Sequence, residues 1–180
     1  MFRRRAGRPR GFQGPAVPPL LQRAHRMMAA GEYSEASAAF HELARRAEDR
    51  FPERAPILYL EAGRASMLAG QVKNGITQFR SGLTLLATQQ RYQRLQNLGN
   101  RIINELQERG LNIEADEISQ LLKDNLPAET KIETAPALAK RGTLPTHCPS
   151  CGAAVRSNEV EWLDDVTAEC DYCGSPVRSE

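Results

Sequence analysis

The sequence predicts a mainly α-helical protein of antiparallel helical hairpins, followed by a small C-terminal β module held together by cysteines. Two observations carry this prediction. From Leu20 to about Leu126, apolar residues recur at helical spacing among Ala, Leu, Arg, Glu and Gln, punctuated by Gly and Pro. All four cysteines then fall in one stretch, CPSCGAAVRSNEVEWLDDVTAECDYCG, as two C-x-x-C pairs.

Residues 1–17 are dense in Arg, Gly and Pro with almost no large apolar side chain. They cannot bury enough surface to offset the entropy of ordering, so a flexible basic arm is expected there. Charge is distributed unevenly along the chain. Residues 1–30 carry seven Arg and no acid, residues 31–144 balance 15 basic against 15 acidic groups, and residues 145–180 set two Arg against seven acids, a net −5. The apolar runs are a few residues long, far below the roughly 20 needed to span a bilayer, so no transmembrane segment is expected. Gly and Pro stand where the apolar region of an export signal would follow the positive N-terminus. A cytoplasmic location follows as an expectation.

Residues 18–126 form the expected helical domain, with helices over 18–30, 33–49, 55–69, 72–88, 90–109 and 113–124. Tight turns between them suggest three antiparallel pairs. Internal repetition supports this division, because AAGEYSEASAAF (29–40) aligns with LAGQVKNGITQF (68–79) at an offset of 39 residues. Gly31 matches Gly70, Tyr33 matches Val72, Ala36 matches Gly75 and Phe40 matches Phe79. A weaker third copy, ERGLNIEADEISQLL (108–122), places Gly110 and Ala115 in the glycine and small-residue positions. In a helical hairpin the Gly ends the first helix in the left-handed conformation, the small residue allows close approach, and the Phe fills the space between neighbours.

This series resembles the tetratricopeptide repeat over about 105 of the 180 residues, although its period of about 39 exceeds the usual ~34. The resemblance implies stacked hairpins whose first helices line a curved, peptide-holding surface. Carried onto this chain, the groove positions would be His25, Arg64, Asn97, Asn100 and Asn104. A six-helix bundle without a groove is the alternative. Residues 127–144 mix Pro, Thr, Ala and Lys with little periodicity and read as a linker to a terminal module over 145–180.

In that module Cys148, Cys151, Cys170 and Cys173 form C-x2-C-x18-C-x2-C, a spacing that reads as a zinc site. Each C-x-x-C turn delivers two thiolates from one compact loop, and two such turns complete a tetrahedral set around one ion. Gly152 and Gly174 are expected to allow the tight turns that aim backbone amides at the sulfurs, with Pro149 fixing the first. Disulfides would need an oxidising compartment, and a redox pair would need a thioredoxin-like context that is absent. A two-metal module lacks ligands, since beyond the four Cys only His147 stands nearby and is read as an exposed neighbour. A single iron held by similar knuckles stays open. Short strands are expected over 153–156, 159–163 and 166–169 around an Asp164-Asp165 turn, with Trp162 covering the site or packing on Val155 and Val166. The pattern CPSCG…CDYCGS resembles the zinc ribbon, which implies one structural zinc with no open coordination position.

The chain carries no phosphate-binding Gly loop, no G-x-S-x-G and no H-E-x-x-H, and its three His are scattered, so no enzyme is expected. The acidic ribbon is a poor phosphate ligand and a better one for basic protein surfaces. The expectation is a protein-binding adaptor or assembly factor. The alternative is a nucleic-acid-associated factor that uses the Arg-rich residues 1–26 while the ribbon docks on a protein.

Overall fold

The computed structural model describes residues 18–127, 143–157 and 160–179. The arm expected over 1–17, nearly all of the linker expected over 127–144, and Glu159 lie outside the described residues. Within them are six helices: α1 Pro19–Ala30, α2 Tyr33–Arg50, α3 Ala55–Leu68, α4 Val72–Thr88, α5 Tyr92–Glu108 and α6 Asn112–Asn125. A three-stranded antiparallel sheet follows, β1 Glu161–Trp162, β2 Thr167–Glu169 and β3 Pro176–Arg178, in the order β1-β2-β3. The expected fold class, mainly helical with a small C-terminal sheet, is what the chain adopts. Among the described residues no helix is long and apolar enough to cross a membrane.

Local chemistry explains the helix ends. Gly31, Gly70 and Gly110 have φ of +80°, +75° and +75°, and each closes the first helix of a pair. The residue after each glycine donates its N–H to a carbonyl five positions back: Glu32 to Met27, Gln71 to Ser66 and Leu111 to Leu106, each at 2.9 Å. This is the Schellman closure that glycine makes at low cost. The same closure ends α4, where Arg91 N–H reaches Leu86 O at 2.9 Å, yet there the left-handed residue is Gln90, with φ +58°. No glycine marks that turn, which is why α5 begins at Tyr92 and not at the expected 90.

Packing follows the repeat. Ala36, Gly75 and Ala115 are all buried at the crossings. A Cβ on Gly75 would lie 2.5 Å from Met67 Sδ, so a larger residue would push α3 and α4 apart. Phe40 and Phe79 are 0% and 2% exposed. The central element is α3, which packs against both α2 and α4 and is buried on nearly every face. Its Leu58, Tyr59, Ala62 and Ala65 belong to a core shared with α1, α2 and the C-terminal module, while Ile57, Leu60 and Met67 belong to a second core with α4, α5 and α6. A helix apolar all round has to sit inside.

The sheet differs from expectation in two places. The segment 153–156 forms only an isolated bridge, Ala154 to His147, because the first knuckle folds back on itself through Cys148 N–H to Ala153 O and Val155 N–H to Thr146 O. β3 was not expected. It pairs with β2 in the register Ala168 to Val177 and starts at Pro176, which an edge strand tolerates because one side of it needs no donor. Trp162 is half-buried against the ribbon core and donates from Nε1 to Ser157 O at 3.0 Å, whereas Val166 is 55% exposed and does not join that core.

Two tests follow from this packing. Phe79→Ala leaves a cavity between hairpins and is expected to cost about 3–5 kcal/mol, while Gly70→Ala strains one left-handed turn and is expected to cost about 1–2 kcal/mol. Urea unfolding followed by circular dichroism should rank the two in that order. The second test concerns Tyr59, whose hydroxyl donates to Glu48 across α2 and α3. Burial, and then this bond, push its phenol up to about 12. A phenol whose folded pKa is raised adds its stability in full below pH ~10 and loses it as pH rises toward ~12. The urea midpoint should therefore drop over that window in the wild type, and drop less in Tyr59→Phe.

Candidate metal centre

The four cysteines come together at the tips of two similar turns. In the first, Gly152 (φ +79°) donates its N–H to Cys148 O at 2.9 Å; in the second, Gly174 (φ +69°) donates to Cys170 O at 2.8 Å. Cys148 N–H to Ala153 O and Cys170 N–H to Ser175 O close the two loops at 2.7 and 3.0 Å. The glycines thus make the tight left-handed turns, their own N–H groups going to carbonyls. The amides that support the sulfurs belong to Cys151 (toward Cys148), Ala153 (toward Cys151) and Cys173 (toward Cys170), and the Ser175 hydroxyl supports Cys173. These donors favour thiolates.

All four sulfurs lie within 4.8 Å of one another, and the pairs Cys148 to Cys173 and Cys151 to Cys170 are each 3.8 Å apart. Four sulfurs about 2.3 Å from one ion at tetrahedral angles stand about 3.8 Å apart, so the spacing fits a metal cage. It is far from the ~2.05 Å of a disulfide, and all four cysteines are free thiols. Each cysteine is only 2% exposed. Cys148 is driven far below the ordinary thiol range because Cys151, Cys170 and Cys173 donate to it, and Cys151 rises because it donates to Cys148. His147 is exposed and engaged with Thr146, outside the cage.

The cage rests on the helices. Gln22 of α1 donates to Ser150 O at 2.9 Å in the first knuckle. From the second knuckle, Asp171 accepts from Arg94 of α5, and the Tyr172 hydroxyl donates to Glu61 Oε1 of α3 at 2.8 Å. Arg54 closes over Gly174 so tightly that a Cβ there would meet its Nη2 at 2.0 Å. The cysteines, Ala153, Ala168 and Val177 share one continuous core with Leu21, Ala24, Phe40 and Leu58.

The residues expected to line a groove divide accordingly. His25 lies under the second knuckle, edge-on to Phe40 and Tyr172 with ring centroids 5.0 and 5.1 Å away. Its Nε2 is buried without a partner among the described residues, and burial holds the ring below its ordinary pKa. Arg64, Asn97 and Asn100 come together in a cleft of about 670 Å³ between α3, α5 and the ribbon. Asn104 is exposed on α5 outside that cleft. Sequence reasoning did not find Glu61, Arg94, Asp171 and Tyr172. The signal for Glu61 was present, as the one acid in the otherwise apolar α3 segment APILYLEAGRASML. The ribbon residues carry no local mark of what they touch.

No family model matches the chain, and no curated protein and no solved structure matches it.

Docking through Tyr172 and Arg94 has a direct test. Tyr172→Phe removes one donor from buried Glu61 and is expected to cost about 1–2 kcal/mol. Amide hydrogen exchange should quicken in residues 146–155 and 167–178 for Tyr172→Phe and Arg94→Ala, with little change in α6. Equal protection in variant and wild type would show that these contacts do not hold the ribbon.

Proposed function

We propose that the chain is a non-enzymatic protein-interaction adaptor or assembly factor of the cytoplasm, with tetratricopeptide-like hairpins as scaffold and a zinc ribbon built on one structural Zn²⁺. Cys148, Cys151, Cys170 and Cys173 hold the ion, and a four-thiolate set of this size suits zinc and leaves no coordination position open for catalysis. The observation that carries the reading is the pair of 3.8 Å sulfur separations inside a buried cage that is continuous with the helical core. The near-identical Schellman turns at Gly31, Gly70 and Gly110, with a small buried residue five positions after each, support the repeat resemblance. The net −5 of residues 145–180, made more negative by a tetrathiolate zinc, favours protein surfaces over phosphates as partners.

Metal analysis of the purified full chain should give close to one zinc per molecule, and Cys148→Ser with Cys170→Ser should release it. Red protein containing iron would overturn the zinc assignment. The adaptor reading is tested with a nonspecific RNA: strong binding that persists after deletion of residues 1–15 would place the chain among nucleic-acid-binding proteins instead.

A further inference from the structure

We propose that the face formed by α1, α3 and α5 is a recognition surface which the chain keeps closed with its own second knuckle, and that its partner is a protein segment presenting an acid followed by a tyrosine. The proposal rests on the adaptor reading above and names the chemistry of the partner. The ribbon is held in the register of the repeat. Counted back from Gly31, Gly70 and Gly110, which close these three helices, equivalent positions of successive hairpins meet it. Nine residues before the glycine stand Gln22, which donates to Ser150 O at 2.9 Å, and Glu61, which accepts from the Tyr172 hydroxyl at 2.8 Å. Sixteen residues before it stand Arg54, closed over Gly174, and Arg94, on Asp171. Six residues before it stand His25, edge-on to the Tyr172 ring, and Arg64, which lines the cleft beside that ring. Two bodies that merely touch have no reason to meet in the period of one of them. A surface of stacked repeats that reads a segment laid along it does so hairpin by hairpin.

What the face holds defines what it takes. It combines apolar surface, where Leu21, Ala24 and Phe40 continue into the ribbon's core, with the polar groups of Gln22, Glu61 and Arg94. That mixture is the composition of an interface between proteins, in which a Tyr and an Arg are frequent anchors. Tyr172 lays its ring on His25 and gives its hydroxyl to Glu61, while Asp171, the residue before it, meets the Arg94 guanidinium. A segment that takes the place of the knuckle has to supply both groups in that order. The Glu61 carboxylate selects a free phenol, because a phosphate on the same oxygen would face it with like charge. Joined to the helices by residues 127–144, the knuckle is an intramolecular ligand, which raises the concentration that a free partner has to overcome. The face is therefore shut by default and opens to a partner that binds better than the knuckle does.

The test uses the full metal-loaded chain and a fluorescent peptide copying residues 167–178, with its two cysteines joined by a non-reducible thioether link so that its acid and tyrosine stand in a turn without metal. The peptide should bind Asp171→Ala/Tyr172→Ala, whose own knuckle no longer competes, at least about tenfold more tightly than it binds the wild type. Changing its Asp to Asn, its Tyr to Phe or its Tyr to phosphotyrosine should each cost about tenfold or more, and so should adding Arg94→Glu to the double variant. In the wild type, saturating peptide should quicken amide exchange in residues 167–178, since peptide and knuckle cannot both hold Glu61 and Arg94. That last measurement decides the matter without any variant having to fold. Equal affinity for the two chains, no binding to the double variant, or exchange in 167–178 that stays unchanged with peptide bound would overturn the proposal. A wild-type dimer that the peptide dissociates would overturn closure within one chain in favour of ribbons exchanged between copies. A chain that holds zinc and binds other proteins while ignoring the peptide loses this surface but keeps the adaptor reading, whereas a chain without zinc loses that reading first.

Discussion

Glu61 sits on α3, which is enclosed on nearly every side, and its residue is only 9% exposed. An ionised carboxylate in such a place costs several kcal/mol unless it is paired and hydrogen-bonded. Arg64, three residues on, supplies one partner from the same helix, and Tyr172 supplies the other from 111 residues further along the chain. The ribbon therefore completes the helical core and is not a passenger on it. Tyr172 feels the same constraint in reverse, since burial and then the nearby Glu61 charge hold its phenol well above the ordinary value and keep it a donor.

The dependence also runs from body to ribbon. Strands of two and three residues, with Ala153, Ala168 and Val177 as the main apolar filling, are too small to fold alone. Two sources of stability are on hand. One is the cage, which could hold a metal ion; a structural zinc in a four-ligand module supplies roughly 10–16 kcal/mol of apparent binding energy near neutral pH. The other is the docking surface, where Leu21, Ala24 and Phe40 extend the ribbon's core into the helices. A metal held in the cage and the docking would reinforce each other, because both need the second knuckle in one conformation: Cys170 and Cys173 face the cage while Asp171 and Tyr172, between them, reach α5 and α3.

What the sequence made legible follows from how local each signal is. The three glycine turns could be read directly, because a left-handed residue followed by a helix start is decided within six residues, and the four ligands could be read because C-x-x-C delivers two sulfurs from one turn. The Gln90 turn was hidden, since its closure has the same hydrogen bonds without the residue that usually marks them. β3 was hidden because three residues beginning with Pro show no alternation to read. The docking of the ribbon was out of reach for a different reason. Its contacts join residues far apart in the chain, Arg94 with Asp171 across 77 positions and Gln22 with Ser150 across 128 among them, and periodicity says nothing about pairs at that distance. The composition of residues 127–144 could not supply it, because composition reports only on the linker and not on the surfaces at its two ends.

The ribbon's acidity takes on a different meaning once its placement is known. Asp171 faces inward onto Arg94, so part of the negative charge is matched by the body. Asp164 and Asp165 stand at the opposite end, exposed in the turn between β1 and β2, where Asp164 accepts the Val166 N–H at 2.8 Å, and they are flanked by Leu163 and Val166 at 59% and 55% exposure. A net charge summed over residues 145–180 hides this division. Asp171 acts on the docking, because a charge matched at close range across a half-buried contact is screened far less than one in solvent. The same contact joins the two walls of the cleft: Asp171 of the ribbon is held on Arg94 of α5, as Glu61 is held on Arg64 within α3.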